Sequence, residues 1–112
     1  MLSKPKTTLG YPFGSDVLVF KVMNKMFALI GERNGFMILN LKCPPEESIM
    51  LRDIFPAITE GYHMNKRHWI TLYFDDKRPI PENEVQRLID QSYLTIVEKL
   101  PKKEQAKVLI QL

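Results

Sequence analysis

The chain has 112 residues, a length that fits one domain, and its 45% apolar and 26% charged residues are typical of a globular protein rather than a disordered one. Its single cysteine, Cys43, excludes an intramolecular disulfide, and the N-terminal segment lacks the apolar core of a signal peptide. The longest uninterrupted apolar run, residues 26–30, is far too short to span a membrane. We expect one soluble, cytoplasmic domain covering residues 1–112.

Charge is distributed unevenly along the chain. The net charge is +3 and the isoelectric point is near 9.0, values compatible with an anionic partner. Residues 1–42 carry six cations and two anions, and residues 61–78 carry four cations and two anions. Residues 43–60 instead carry one cation and four anions. An anion-binding surface is therefore expected from the first third of the chain and from the segment after residue 60.

Three short strands are predicted in the first 42 residues. A turn-like Pro-Phe-Gly at 12–14 precedes the β-branched stretch 17–22, and further apolar stretches follow at 26–30 and 36–42. Asn24 with Lys25 is predicted to form a tight turn, and the Asn-Gly pair within 31–35 accepts the positive φ of a hairpin turn. Strands joined by such short turns predict an antiparallel meander.

A helix is predicted between two proline signals. Pro45, followed by two glutamates, favours a helix start, and Pro56 ends the helix. Two i,i+4 pairs are expected to face the core, Met50 with Ile54 and Leu51 with Phe55.

One strand and two helices are predicted in the remainder. The strand covers 67–74, an amphipathic helix begins at Pro81, and a short helix follows Pro101. The predicted fold class is α+β, a two-layer sandwich in which an antiparallel sheet, made of the three-strand meander and a further strand, packs against helices.

The stretch G-Y-H-M-N-K-R-H-W at 61–69 is the densest in functional side chains, but it does not predict a metal site. His63 and His68 are five residues apart, so they point to opposite faces of a strand and are not aligned on a helix. Cys43 has no C-x-x-C partner. We expect neither a metal nor another cofactor.

Enzymatic chemistry has little support in the sequence. No serine lies in a G-x-S-x-G context, and neither a P-loop nor a G-x-G-x-x-G motif is present. Cys43 with a distant histidine remains an alternative, although a small buried residue ending a strand is the simpler interpretation. A small-ligand binder or enzyme centred on His63, Asn65 and His68 is a third hypothesis, and no catalytic residue is assigned.

Nucleic-acid binding fits the segment best. Alternation along strand 67–74 places Arg67 and Trp69 on one face, opposite the more apolar face of Ile70 and Leu72. Cations pair with phosphates and aromatic rings stack on bases, so a mixed face of this kind can bind nucleic acid. The same Trp69-centred face also suits a protein–protein contact, which is the alternative hypothesis. The candidate residues are Lys21, Lys25, Lys42, Lys66 and Arg67 for phosphates, with Trp69 and His63 for stacking or hydrogen bonding. Asn65 is also a candidate, although its polar groups are expected to tie down the connection into the strand.

Five ordered motifs resemble the MmcQ/YjbR family. They are P-F-G (12–14), F-K-V-M-N-K-M-F-A-L-I (20–30), L-K-C-P-P-E (41–46), the stretch 61–69, and L-I-D-Q-S-Y (88–93) followed by L-P (100–101). The resemblance covers nearly the whole chain. It implies a fold similar to the CyaY/frataxin sandwich and a DNA-binding function with a "double-wing" motif, for which the turns at 23–25 and 31–35 are the candidate wings.

The sequence departs from that family in two respects. The family's first helix is expected to be missing or shortened here, which would favour dimerisation or indicate an alternative start site. A homodimer or another protein partner is therefore expected beside DNA. Frataxin-type iron binding depends on an acidic ridge, and this chain is basic where that ridge would begin, so iron binding is not carried over. The resulting prediction is a non-enzymatic DNA-binding domain that contacts the phosphate backbone.

Overall fold

The structure, a computed structural model, describes residues 7–10, 17–62 and 65–109. Within these ranges the backbone forms one six-stranded sheet whose order is β1-β2-β3-β4-β6-β5, and every neighbouring pair is antiparallel. The strands are β1 (Thr7–Gly10), β2 (Leu18–Val22), β3 (Lys25–Arg33), β4 (Phe36–Lys42), β5 (Ile58–Glu60) and β6 (Trp69–Tyr73). The helices are α1 (Pro45–Ile54), α2 (Glu82–Glu98) and α3 (Lys102–Leu109).

The predicted meander is confirmed as β2, β3 and β4. The turn between β3 and β4 uses Asn34 and Gly35 at φ values of 55° and 84°, as the Asn-Gly pair predicts. The turn between β2 and β3 lies one residue earlier than expected, at Met23 and Asn24, whose φ values are 48° and 67°. The Pro-Phe-Gly turn at 12–14 and any change to the family's first helix lie outside the described residues.

Proline sets the helix boundaries. Pro45 opens α1, which carries Glu46 and Glu47 in its first turn where acidic side chains favour the helix dipole. The helix ends at Ile54, and the N–H of Phe55 donates to the carbonyl of Leu51. The α2 and α3 helices follow Pro81 and Pro101 in the same way. None of the helices in the described ranges is long and apolar enough to cross a membrane.

The main core lies between the sheet and the three helices. Buried aliphatic and aromatic side chains of β2, β3, β4 and β6 pack there against Leu51 of α1, Leu88 and Tyr93 of α2, and Val108 of α3. Phe27 and Tyr93 meet edge to face with ring centroids 5.3 Å apart. This is the predicted two-layer α+β sandwich.

The prediction that Met50 and Ile54 of α1 face the core is wrong. Leu51 is buried, but Met50 and Ile54, predicted to face the core, are 54% and 57% exposed. Successive helical residues are 100° apart, so only a narrow stripe of α1 can face the sheet. Leu51 lies in that stripe, and Met50 and Ile54 lie outside it. The outward side of α1 is therefore apolar.

The sheet face opposite the helices is also buried at its centre. Ile38 and Tyr73 pack there with Ala57, and Tyr62 lies against them. A buried polar pair lies in the same row, where the hydroxyl of Thr71 donates to Oδ1 of Asn40.

Candidate functional site

The register of the strands brings several cations to one end of the sheet. Lys25 begins β3, Lys42 ends β4 opposite Trp69 at the start of β6, and the turn 65–68 immediately precedes Trp69. The N–H of Cys43 donates to the carbonyl of His68 over 2.9 Å, which fixes this turn to the end of β4. The C-terminal part of α2 lies at the same end, since Oγ of Ser92 accepts the N–H of Lys42 and Lys99 follows at the end of this helix. We refer to Lys25, Lys42, Lys66, Arg67 and Lys99 as the basic end.

The turn that carries Lys66 and Arg67 is held by Asn65. Its Oδ1 accepts the N–H of Arg67 at 3.0 Å, and its carbonyl accepts the N–H of His68 at 3.2 Å. Asn65 therefore shapes the turn, as small polar side chains commonly do. Lys66 and Arg67 are exposed, although Nζ of Lys66 also reaches the carbonyl of Gly61 at 3.3 Å.

Beside this turn lies an open groove of about 460 Å³ along α1. The α1 groove is lined by Pro45, Ser48, Ile49, Arg52, Glu60, Lys66 and Arg67. Its single carboxylate, on Glu60, pairs with Arg52 at 3.2 Å. The two cations of the turn, Lys66 and Arg67, have no such partner within the described residues, so the groove attracts anions.

Lys42 is less available than the two cations of the turn. Its backbone N–H donates to Oγ of Ser92 at 2.8 Å, and its ammonium lies 5.5 Å from the ring centroid of Trp69. Burial lowers the pKa of Lys42, and the positive charge of Lys99 lowers it further. Lys42 thus contributes to the positive field while its side chain packs on Trp69.

The side chain of Trp69, proposed from the sequence as a stacking group, is buried. The alternation is as predicted, but Trp69 is only 8% exposed. Its strand β6 is paired on both sides, with β4 and β5, and Tyr62 lies over the same face of the sheet. The N–H of Tyr62 donates to Oγ1 of Thr71 at 2.8 Å, and this bond fixes Tyr62 against the face. Trp69 therefore presents no ring for bases to stack on.

The remaining predicted residues lie apart from the turn. Lys21 is half-buried in the middle of β2, whereas Lys25 is exposed at the β2–β3 turn. His63 lies outside the described residues, so its predicted role stays a prediction. Sequence reasoning missed Lys99 and Arg52, although Arg52 is the one cation of the acidic segment 43–60 and was visible as such.

The two candidate wings lie at opposite ends of β3. This strand has nine residues, which corresponds to roughly 27 Å between its ends. The turn at 23–25 belongs to the basic end, and the turn at 31–35 lies at the far end. There the guanidinium of Arg33 lies 3.8 Å from the ring centroid of Tyr62 and donates to the hydroxyl of Tyr73 at 3.1 Å.

Cys43 lacks the properties of a nucleophile. It is 1% exposed, and burial raises the pKa of its thiol to about 12, with the charge of Glu47 acting in the same direction. A thiol of this kind is protonated at neutral pH, and a nucleophilic cysteine requires the thiolate. The thiol-enzyme alternative has no support from this geometry.

A family model described as YjbR matches residues 2–95. The chain belongs to the YjbR family.

Named relatives of this YjbR-family chain cover most of its length. YbdF of Escherichia coli O157:H7 is 39% identical over 107 residues, which is 96% of the chain and 86% of YbdF. YjbR of Escherichia coli strain K12 is 35% identical over 92 residues, 82% of the chain and 75% of that protein. Both carry names that describe them as uncharacterized proteins, so membership fixes the family and leaves the ligand open.

Solved structures share the fold. Protein DR2400 of Deinococcus radiodurans superimposes with a TM-score of 0.83 at 34% identity, over 95% of the chain and 80% of that protein. A Pseudomonas syringae protein gives a TM-score of 0.65 at 30% identity, over 77% of the chain and 83% of its own. The antiparallel sheet packed against helices is therefore the fold of this family.

Proposed function

We propose that this YjbR-family chain binds DNA by contacting the phosphate backbone at the basic end. The observation that carries the proposal is the gathering of unpaired cations there. The ion pairs of the described residues use Arg52, Arg78 and Arg87. None of these pairs involves the exposed cations Lys25, Lys66 and Arg67. Because these three cations form none of those ion pairs, none of those pairs has to break when they bind a phosphate.

The mode of binding follows from which side chains are exposed. Lysine and arginine bind phosphates without reading the sequence, whereas specificity requires side chains that reach base edges. Trp69 is buried and Asn65 is engaged in its own turn, so neither supports base recognition. The proposal is therefore sequence-independent binding driven by charge.

The test is the salt dependence of duplex binding. The logarithm of the association constant should fall linearly with the logarithm of salt concentration, with a slope of about −0.9 for each phosphate contact. The double change Lys66→Glu with Arg67→Glu should weaken binding at low salt at least ~10-fold. It should also reduce the magnitude of the slope by the amount expected for roughly two phosphate contacts. Absence of binding at low salt would contradict the proposal.

A matched control lies at the opposite end of the sheet. Lys77 is exposed, and its described contact is the backbone N–H donated to Oδ1 of Asp75, which a substitution retains. Lys77→Glu makes the same charge change as Lys66→Glu. An equal loss of affinity in both single variants would show that net charge, and not the basic end, determines binding.

The alternative protein-interaction surface centred on Trp69 loses its basis, because the ring is buried. Exposed apolar side chains lie instead on α1, beside the α1 groove.

A further inference from the structure

The outward side of α1 carries an apolar stripe that nothing in the described residues covers. Ile49, Met50 and Ile54 are 63%, 54% and 57% exposed. With Glu46 and Asp53 they follow the spacing i, i+3, i+4, i+7 and i+8, which places all five on one side of the helix. Three adjacent large aliphatic side chains at this exposure are typical of a contact surface.

The stripe is acidic as well as apolar. Glu46 and Asp53 are exposed, and neither belongs to an ion pair among the described residues, whose pairs use Glu47, Glu60, Asp75 and Glu84. The α1 groove next to it presents the opposite character. Ile49 of the stripe lines it together with Lys66 and Arg67. One molecule thus carries two complementary surfaces side by side.

Complementary surfaces adjacent on one chain fit a second copy of that chain. In a two-fold symmetric contact each surface is used twice, so the apolar side chains of the two stripes can pack together while the acidic side chains of each stripe meet the basic groove of the other copy. Among the described residues no ion pair joins Glu46 or Asp53 of the stripe to Lys66 or Arg67 of the groove within one protomer. A partner of another kind would need the same combination of aliphatic and acidic side chains.

We propose that the chain forms a two-fold symmetric homodimer through α1. The stripes of the two copies pack antiparallel, and Glu46 and Asp53 of each copy reach Lys66 and Arg67 of the other. Met50 is the midpoint of the stripe 46–54, so its side chain lies beside the Met50 of the second copy. A ten-residue helix is about 15 Å long, which places the contact at the small end of specific interfaces and makes the dimer weak and reversible.

The first test measures mass by sedimentation velocity on the protein alone, without nucleic acid, from micromolar to near-millimolar concentration. The chain should shift from monomer to dimer as concentration rises. Met50→Asp should stay monomeric, and Leu94→Asp, the same change at a side chain of α2 that is 41% exposed, should dimerise normally. A monomer at every concentration, or equal loss in both variants, overturns the proposal.

The second test asks whether charges pair across the two copies. Asp53→Lys and Arg67→Glu should each raise the dimer dissociation constant about two- to tenfold, since each pair occurs twice. The double variant should restore the original value, because the opposite charges are exchanged. A double variant that is weaker than either single variant excludes this pairing.

The third test locates the symmetry axis. Met50→Cys should form a disulfide-linked dimer with an added oxidant much faster than Leu94→Cys does. The native Cys43 is buried and does not contribute. Equal rates for the two variants would place the contact elsewhere. Because these tests contain no DNA, their outcome is read separately from that of the duplex titration. Lys66 and Arg67 serve both proposals, so duplex and the second copy compete for them, and the loss of one kind of binding does not remove the other.

Discussion

The hydroxyl of Ser92 donates a hydrogen bond to the carbonyl of Phe27, 65 positions earlier in the chain, and also accepts the N–H of Lys42. Phe27 is the additional residue of a β-bulge, since Phe20 pairs with Ala28 while Lys21 pairs with Met26. The bulge lies in the pairing of β2 with β3. On the other side of β3 the ladder with β4 ends at Ala28 and Leu41, and Ser92 bridges the next two backbone groups, the carbonyl of Phe27 and the N–H of Lys42. One hydroxyl thus ties α2 to the end of the sheet that carries the basic end.

Replacing Ser92 with alanine should destabilise the fold. The change leaves a buried N–H and a buried carbonyl without partners, which typically costs about 1–3 kcal/mol. The free energy of unfolding from urea titration measures the loss. Thr95→Ala is the control, because its hydroxyl donates to the carbonyl of Gln91 within the same helix and to no other group in the described part of the chain. It should change stability by less than about 0.5 kcal/mol. Equal effects would mean that the bridge adds nothing.

Trp69 should behave as a structural residue. Trp69→Ala should lower the free energy of unfolding by about 3–5 kcal/mol, because a large buried side chain is lost. Trp69→Phe should retain the fold and leave duplex affinity within about twofold of the original. Thermal unfolding and a binding titration give the two values. A loss of duplex affinity in a Trp69→Phe protein of unchanged stability would instead indicate that the ring of Trp69 contacts the DNA.

Two glycines should respond in opposite ways to alanine. Gly35 has a φ of 84°, and no atom lies within 4 Å of the position of an added Cβ, so Gly35→Ala should cost about 1–2 kcal/mol from backbone strain alone. At Gly31 the added Cβ would meet side chains at 3.9–4.0 Å, an ordinary contact. Gly31→Ala should be neutral or stabilise by up to about 1 kcal/mol. Chemical denaturation ranks the two variants, and a larger loss at Gly31 would contradict the turn geometry.

Stability should fall at alkaline pH through Cys43. Burial raises the pKa of its thiol from near 9.0 to about 12, so between these values the unfolded chain loses the proton first. The contribution of the thiol is complete below pH 9 and decreases as pH rises towards 12, by at most about 1.4 kcal/mol per pH unit. Unfolding free energies of the chain and of Cys43→Ala, measured across this range, should converge as pH rises. Parallel curves would contradict the shift.

Much of the fold could be predicted because its main elements are long or well delimited. The strands β2, β3 and β4 are apolar and separated by turn signals, and α2 has 17 residues with a clear helical period. The strands β1 and β5 were missed, since three or four residues such as Thr7–Gly10 and Ile58–Glu60 are too short to show a period of two. Their positions depend on pairing with β2 and β6, which is tertiary information.

The candidate site was predictable only in part. The sequence pointed to Lys66 and Arg67, which the structure places on the surface, because adjacent cations are visible without a fold. It could not show that Trp69 is covered, since alternation distinguishes two faces and does not tell whether both are buried. For the same reason it could not show that Met50 faces outward, as a helical period does not identify which apolar stripe meets the sheet.

The nine residues of β3 also set a length scale for any duplex that binds. A double helix advances 3.4 Å per base pair, so the distance between the turns at the two ends of this strand corresponds to roughly eight base pairs. A duplex touching both turns must lie along the strand and occupy at least that length. A duplex bound by the basic end alone needs fewer base pairs. The affinities of duplexes of increasing length therefore show whether the DNA contacts both turns or the basic end alone.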